Sequence, residues 1–241
     1  MPHFFVKSNN IENDIIRIDD KELLKHLVLS LRLRCGEKAK FIDENEISYE
    51  CTVQSVSKTL VEAKIENSYK SKRKLGYNLC LVQSVLKPEA QGLLISNATQ
   101  CGVCRIYPVI SDNCAVSSKN LKDKIQKWEK ISNEAAKQCE RANFANIENV
   151  SDIKNVLGAF KKENILIYAE KYENIELECA LKDVDINSDI AVVIGPEGGF
   201  SEEEFKYFVQ NDFKLISLGN LIFKAPNAVV AGISNIVTRL K

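Results

Sequence analysis

The sequence predicts an α/β fold in which a small β-rich domain precedes a larger domain built on a mostly parallel sheet. Three observations lead to this fold class. Residues 1–67 alternate short apolar and polar steps, residues 68–74 are basic, and apolar runs then alternate with helical patterns to the end of the chain. We therefore assign the first domain to residues 1–70 and the second to residues 75–241.

The small domain is predicted to be a β-barrel with one inserted helix. Its predicted strands are 4–6, 14–18, 38–43, 48–56 and 60–66. Between the second and third of these strands, leucines at 23, 24, 27 and 31 follow helical spacing, and Gly36 ends the segment. The basic stretch SYKSKRK at 68–74 is typical of a linker.

The larger domain is predicted to contain parallel strands at 77–85, 104–110, 164–170, 189–195 and 213–219. One helix is expected from about Lys119 to Arg141, and a terminal helix over Asn227–Leu240. On the first of these helices, Glu134, Gln138 and Arg141 are spaced at i, i+4 and i+7. This spacing predicts that the three side chains share one side of the helix.

Composition excludes several classes of protein. Lys plus Arg and Asp plus Glu number 33 each, so binding to nucleic acid would need a local basic patch, because the net charge is zero. No apolar run reaches the roughly 20 residues that span a bilayer, and the start MPHFFVKSNN does not resemble a secretory leader. The eight cysteines are scattered, which is typical of reduced thiols in the cytoplasm. The CxxC pair Cys101 and Cys104 has no second pair to complete a metal site, so we expect no metal.

The most informative motif is VVIGPEGGFSEEEF, residues 192–205. A buried-type strand leads into a glycine-rich loop, and Ser201 with Glu204 then forms a capping box that begins a helix. Adjacent glycines allow backbone amides to approach a ligand closely, and open α/β sheets bind ligands at this edge. The alternative is a plain tight turn. The loop has neither the GxxxxGK[ST] nor the GxGxxG pattern, which argues against nucleotide hydrolysis and ordinary dinucleotide binding.

A second glycine turn, Ser217–Asn220, also follows a predicted strand, so the two loops could line one pocket. In the small domain, His26, Arg32, Arg34 and Lys38 form a basic stripe. By itself such a stripe is more often a solvated helix end. Two other basic zones, Lys70–Lys74 and Lys122–Arg141, would suit an RNA backbone if all three lay on one side.

Five blocks of sequence together resemble a known family. HLVLSLRLRCGE, LKPEAQGLLISNATQCGVCRIYPV, KWEKISNEAAKQCERA, VIGPEGGFSEEE and SLGNLIFKA follow the order and approximate spacing seen in the RsmE-type small-subunit ribosomal RNA uridine-N3 methyltransferases. The resemblance covers essentially the whole chain. It implies an N-terminal PUA-like β-barrel and a C-terminal SPOUT domain with a trefoil knot. It also implies a cytoplasmic homodimer that uses S-adenosylmethionine to methylate one uridine of 16S rRNA on the assembled small ribosomal subunit.

The resemblance also implies roles for particular residues. The cofactor would be bound by Ile194, Gly195, Pro196, Glu197, Gly198 and Gly199 together with Leu218, Gly219, Asn220, Leu221, Ile222, Phe223 and Lys224. RNA would be bound by His26, Arg32, Arg34, Lys38 and Lys87. Arg141 is the candidate cation that stabilises the uridine anion, alongside Glu134 and Gln138, with a structural ion pair as the alternative. The catalytic base is unassigned.

The chain departs from the family pattern at several positions. Lys224, Pro226 and Asn227 stand where the pattern has arginine, glutamate and threonine, and His3, Asn97 and Gln100 replace arginine, lysine and glutamate. Because proline is tolerated in the first turn of a helix, we expect Pro226 to begin one and activity to be retained. Two alternatives remain: a non-catalytic RNA-binding assembly factor with a degenerate cofactor site, and a knotted methyltransferase for another RNA nucleotide.

Overall fold

The computed structural model describes residues 3–114, 121–170, 172 and 174–240. The chain forms two compact units. The N-terminal unit runs to Lys74 and includes Lys137–Asn143, and the C-terminal unit comprises Leu75–Ala136 and the chain from Phe144 onward.

The N-terminal unit is built on one six-stranded sheet. Its strands are β1 (His3–Phe5), β2 (Ile11–Glu12), β3 (Ile15–Ile18), β4 (Lys38–Ile42), β5 (Ile47–Val56) and β6 (Val61–Lys70), in the spatial order β1-β4-β5-β6-β3-β2. Only the β1–β4 pair is parallel among the described pairings of this sheet. The predicted linker at 68–74 is wrong in part, because Ser68, Tyr69 and Lys70 still pair with β5. Closure of this sheet into a barrel stays a prediction.

The helix of this unit is shorter than the sequence predicts. Helix α1 (Lys21–Lys25) is capped by Asp20, whose side chain accepts the Leu23 amide at 2.8 Å, and it continues as a π-helical turn through Ser30. Arg32 then takes a φ of +53°, a left-handed conformation that no right-handed helix can include. As a result Leu27 is buried but Leu31 is 44% exposed, and Arg32 and Arg34 lie in the loop that follows.

The C-terminal unit confirms the predicted α/β architecture. Its strands are β7 (Leu79–Ser84), β8 (Arg105–Ile110), β9 (Asn146–Ile147), β10 (Ser151–Asp152), β11 (Ile165–Tyr168), β12 (Ile190–Ile194) and β13 (Lys214–Ile216). The spatial order is β10-β8-β7-β12-β11-β13, with β9 also on β8, and every described pairing is parallel. All residues of β7, β11 and β12 are buried, as expected of strands covered on both faces.

Helices cover both faces of this sheet. They are α2 (Pro88–Gln100), α3 (Lys122–Gln138), α4 (Ile153–Leu157), α5 (Leu177–Leu181), α6 (Glu202–Gln210) and α7 (Ala225–Arg239). Successive residues of β12 alternate between two hydrophobic clusters: Val192 packs in the cluster that includes residues of α2, α3 and α7, and Val193 packs with residues of α4 and α6. In the described part of the chain, none of the helices is long and apolar enough to cross a membrane.

Two predicted helix ends have different outcomes. Pro226 lies in the first turn of α7, as expected, and the helix begins at Ala225, two residues before the predicted start at Asn227. The other helix was expected from Lys119, which lies outside the described residues, to Arg141. It ends instead at Gln138, because Glu140 takes a φ of +53°. Arg141 is therefore not on the helix, and the predicted side shared with Glu134 and Gln138 is wrong. The trefoil knot stays a prediction.

Gly232 allows α7 to approach β11 closely. The Tyr168 hydroxyl donates to the Gly232 carbonyl at 3.0 Å, and a Cβ at residue 232 would lie 2.5 Å from Tyr168 Cε2. We expect Gly232→Ala to lower the free energy of unfolding by about 1–3 kcal/mol, the usual cost of overpacking a core. Urea denaturation measures this change.

Gly92, in the middle of α2, provides the matched control. A Cβ there would meet Ile131 Cδ1 at 3.4 Å, an ordinary contact. Gly92→Ala should therefore raise the free energy of unfolding by up to about 1 kcal/mol, because alanine loses less backbone entropy in a helix. Equal effects of the two substitutions would contradict the close approach at Tyr168.

Candidate functional site

The two predicted glycine loops lie at the same edge of the C-terminal sheet. Strands β12 and β13 both pair in parallel with β11, and Tyr168 is in register with Ile194 on one side and with Ile216 on the other. The loops that follow these strands are thus separated by two strand spacings, about 10 Å. The structure brings residues 195–200 and 217–224 to the carboxyl edge, where open α/β sheets bind ligands.

The first loop is a tight turn with little room at two of its glycines. Gly199 has a φ of +73°, and its amide donates to the Pro196 carbonyl at 2.9 Å. A Cβ at Gly198 would lie 3.1 Å from the Cβ of Asn113, and one at Gly195 would lie 3.2 Å from the Phe200 ring. The glycines are therefore required for two different reasons: backbone conformation at 199 and close packing at 195 and 198.

The capping box predicted at Ser201 and Glu204 is confirmed. The Ser201 hydroxyl accepts the Glu204 amide at 3.1 Å, and Glu204 Oε2 accepts the Ser201 amide at 2.8 Å. These bonds satisfy two donors at the start of α6 and so fix where the loop ends.

A third loop, residues 111–114 after β8, is bound to the first one. Glu204 Oε1 accepts the Asp112 amide at 3.1 Å, the Ser201 hydroxyl donates to Asp112 Oδ2 at 2.5 Å, and Asn113 Nδ2 donates to the Gly199 carbonyl at 3.1 Å. Sequence reasoning missed this loop. The available signal was the polar run Ser111-Asp112-Asn113 directly after a predicted strand, which is typical of a strand-end loop.

Glu204 is a buried carboxyl group that joins two loops. It is only 4% exposed, and burial raises its pKa. The charge of Asp112 also raises this pKa, whereas the hydrogen bonds from the amides of Ser201 and Asp112 lower it. Each of its oxygens accepts one backbone amide from a different loop. Glu204 therefore provides two of the hydrogen bonds that fix the geometry of this edge.

Buried polar atoms at the carboxyl ends of β7 and β8 make no hydrogen bond to the described residues. They are Gln83 Oε1, Ser84 Oγ and Ser111 Oγ. Gln91 lies nearby in sequence on α2: its Oε1 accepts the Leu86 amide at 2.8 Å, but its Nε2 has no partner among the described residues. A buried polar atom without a partner costs about 1–3 kcal/mol, so a ligand that satisfies these atoms would bind more favourably.

The second loop exposes both backbone and apolar surface. Gly219 has a φ of +83°, and Leu221 and Ile222 are 67% and 79% exposed. Among the described residues, none accepts a hydrogen bond from the backbone amides of residues 220–224, or from those of Glu197 and Gly198 in the first loop. These amides are available to a ligand, and cofactor binding by residues 194–199 and 218–224 stays a prediction.

The three candidate catalytic residues do not form one group on a helix. Arg141 is buried, follows α3 and donates from Nη2 to Asn143 Oδ1 at 2.8 Å. Gln138 and Arg141 belong to the N-terminal unit, and Glu134 belongs to the C-terminal unit. The helical spacing that grouped them assumed a helix that continues past residue 138.

The candidate RNA-binding residues are mostly exposed. Arg32, Arg34 and Lys38 are exposed, whereas His26 is half-buried with its ring edge-on to Phe4 at 5.9 Å between centroids. Lys87 is exposed immediately before α2 of the C-terminal unit. The described residues include no group of three or more His, Cys, Asp or Glu side chains that could hold a metal ion.

Comparison with protein families and curated proteins gives concordant matches. Residues 73–237 match the model of a family described as an RNA methyltransferase domain, and residues 18–66 match one described as an RNA methyltransferase PUA domain. The ribosomal RNA small subunit methyltransferase E of Rickettsia conorii is 26% identical over 234 residues, covering 96% of this chain and 93% of that protein. The Bacillus subtilis protein of the same name is 23% identical, covering 89% and 87%.

Solved structures agree in fold. A ribosomal RNA small subunit methyltransferase E from Neisseria gonorrhoeae, solved with bound S-adenosyl methionine, superposes with a TM-score of 0.87 at 23% identity. The superposition covers 99% of this chain and 97% of that one. The two chains therefore share the arrangement of strands and helices.

The link through Glu204 leads to a stability prediction. Glu204→Gln leaves only one oxygen to accept two amides, and its new amide donor faces a backbone N–H. We expect the free energy of unfolding to fall by about 1–3 kcal/mol, the cost of an unsatisfied buried group, measured by urea denaturation at neutral pH. Glu203→Gln, at an exposed position in the same turn, should cost under about 1 kcal/mol through the lost helix-dipole interaction. Similar losses for both variants would show that Glu204 acts only through the dipole.

Proposed function

Because this chain belongs to the RNA methyltransferase family, we propose that it methylates N3 of one uridine in 16S rRNA, on the assembled small ribosomal subunit, with S-adenosylmethionine as donor. The observation that carries this proposal is the pair of glycine loops at one carboxyl edge, each with backbone amides open to a ligand. The relatives named ribosomal RNA small subunit methyltransferase E support the choice of RNA. Ribosomal RNA as substrate implies a cytoplasmic protein.

The residues at this edge fit S-adenosylmethionine. Its adenosine and amino acid parts carry donors, acceptors and an apolar surface. The loops offer the exposed side chains of Leu221 and Ile222 and backbone amides that have no partner among the described residues. The buried oxygens of Gln83, Ser84 and Ser111, also without a partner in the described part of the chain, lie at the ends of β7 and β8. When bound, the cofactor supplies an electrophilic methyl group on a sulfonium. The residues 194–199 and 218–224 would hold it and orient that methyl group.

The departures at 224–227 are compatible with this site. Lys224 is exposed, and its carbonyl accepts the Ala228 amide at 2.9 Å, so it starts α7 through its backbone. Pro226 is buried in the first turn of α7. Backbone N–H groups in the first turn have no acceptor within the helix, so the N–H that proline lacks is not missed there. Neither change removes a backbone amide between residues 220 and 224.

The chain must also prepare the uridine. N3 lies on the Watson–Crick edge and loses a proton before it attacks, so the base must leave its pair and a cation must stabilise the resulting anion. We assign this cation to Arg141, a buried guanidinium whose position is fixed in part by Asn143. Glu134 and Gln138 stay candidates for positioning the base, and the small domain, with His26, Arg32, Arg34 and Lys38, would dock the RNA together with Lys87.

We expect the wild-type protein to bind S-adenosylmethionine and Gly198→Val to lose that binding. The valine side chain would meet Asn113 and displace the loop that holds the cofactor. Titration calorimetry on both proteins measures this. Gly76→Val is the matched control, since a Cβ at residue 76 has no atom within 4 Å and the variant should bind like wild type. A folded wild-type protein that gives no binding heat would favour the non-catalytic assembly factor.

A homodimer through the C-terminal unit is expected in solution. The terminal helix offers little apolar surface to a partner, because Val229, Ile233 and Ile236 are buried within the unit. The apolar residues that α2 and α7 leave exposed are Leu93, at 54%, and Val230, at 39%. A surface that buries these side chains would have the apolar centre typical of homodimers. Light scattering at micromolar concentration should give twice the mass of the chain, and a monomer there would refute the expectation.

The two domains should contribute different steps. Replacing Arg32 and Arg34 by alanine should weaken binding to small subunits and lower the log–log salt slope by roughly one unit per lost phosphate contact. Arg141→Ala should instead slow single-turnover methylation within bound complexes about 100-fold, the range for loss of one preorganised donor. Arg141→Lys keeps the charge and should recover part of the rate. Equal rate losses in the docking and Arg141→Ala variants, with binding unchanged, would refute this division.

A further inference from the structure

The N-terminal unit contains a pocket beside the basic zone Lys70–Lys74, and the proposed function assigns no role to this pocket. It has a volume of about 240 Å³ and lies where β6 ends, with Lys40, Tyr69, Lys70, Lys72, Arg73 and Glu140 in its wall. All six residues belong to the N-terminal unit. Small-molecule sites usually enclose about 300–1,000 Å³, so this pocket suits one unit of a longer chain better than a whole cofactor.

The pocket carries excess positive charge. Four of the wall residues are cationic and one is anionic. Arg73 Nη2 forms an ion pair with Glu140 at 3.2 Å, but its side chain is still 62% exposed, and none of Lys40, Lys70 and Lys72 forms an ion pair with a described residue. Since a guanidinium has five donors, Arg73 retains N–H groups for a second anion.

Burial and the positive charge of the pocket lower the pKa of the neighbouring His3. It is buried, stands opposite Lys40 in the β1–β4 pairing, and its pKa is lowered to about 4, first by burial and then by the charge of Lys40. Arg73 lowers it further, while Glu140 opposes the effect. His3 is therefore neutral at physiological pH and adds no charge of its own.

Tyr69 adds an aromatic surface to the pocket. Its side chain is partly exposed, and the Lys40 ammonium lies 5.3 Å from the ring centroid. The pairing of Tyr69 with Ser48 on β5 fixes its backbone, and its hydroxyl donates a long hydrogen bond to Glu50 Oε1, 3.5 Å. A nucleotide would provide a planar base to replace the Lys40 ammonium over the ring, and a phosphate for the other cations of the wall.

We propose that this pocket binds one unpaired nucleotide of RNA away from the methylated base, with Lys72 and Arg73 on its phosphate and Tyr69 stacked on its base. An acidic peptide would satisfy the cations but has no planar group for Tyr69, so the aromatic wall favours RNA. The identity of the polymer rests on the proposed function. Loop residues Arg32 and Arg34 are not in the wall of the pocket, so it is a separate contact.

The test measures binding of a fluorescein-labelled ten-uridine oligoribonucleotide to the full chain by anisotropy. Tyr69→Ala should weaken binding about 5- to 150-fold, the loss expected for one stacked base. Tyr69→Phe keeps the ring and should bind like wild type. Lys72→Ala should lower the salt slope by about 0.7, the value for one single-strand phosphate contact, whereas Lys58→Ala, in the exposed turn between β5 and β6, should leave it unchanged.

Either of two results would refute the proposal that this pocket binds a nucleotide. Unchanged affinity in both Tyr69→Ala and Lys72→Ala would do so, and so would competition by polyglutamate or polyphosphate as effective as that of unlabelled oligonucleotide, because neither polymer has a base to stack.

Methylation of isolated small subunits separates this proposal from the proposed function. Tyr69→Ala should raise the apparent KM for subunits while kcat and S-adenosylmethionine affinity stay at wild-type values. If the wild type methylates subunits but Tyr69→Ala and Lys72→Ala bind the oligonucleotide as well as the wild type does, the pocket proposal is refuted and the proposed function is not. Oligonucleotide binding that depends on Tyr69, in a protein with no methylation activity, would support the pocket and refute the proposed function.

Discussion

The parallel pairing of β11 with β12 and β13 is the constraint on which the candidate site depends. Parallel strands place all their carboxyl ends at one edge, so the loops 195–200 and 217–224 lie at the same edge although a helix and a strand separate them in sequence. The pairing is possible because helices cover both faces, which is also why β11 and β12 consist only of buried residues. The apolar runs thus determine where the polar loops lie.

Two side chains tie the elements around this edge together. Glu204 joins the start of α6 to the loop after β8, and Tyr168 joins β11 to the backbone of α7 through Gly232. Both are buried groups whose polar atoms are satisfied by backbone, so they specify geometry as well as stability. None of these three hydrogen bonds uses a backbone amide of residues 197, 198 or 220–224.

Features that depend on residues close in sequence could be predicted, and contacts between residues far apart in sequence could not. The capping box at Ser201 and Glu204, the glycine loops and the buried strands follow from residues close in sequence. The predicted ends of two helices were wrong, because Arg32 and Glu140 take a positive φ that the spacing of apolar residues does not indicate. The same limit applies to Asp112 and to the Tyr69 pocket, since their partners lie far along the chain.

A site formed largely by backbone groups tolerates changes in side chains. At 224–227 this chain departs from the family pattern in three side chains, yet α7 still begins at Ala225 and residues 220–224 keep their open amides. Changes that alter backbone conformation are different: Gly199 and Gly219 have φ values of +73° and +83°, which other residues adopt only with strain. Relatives about 26% identical can therefore retain the edge, provided that the glycines and the groups that fix the loops remain.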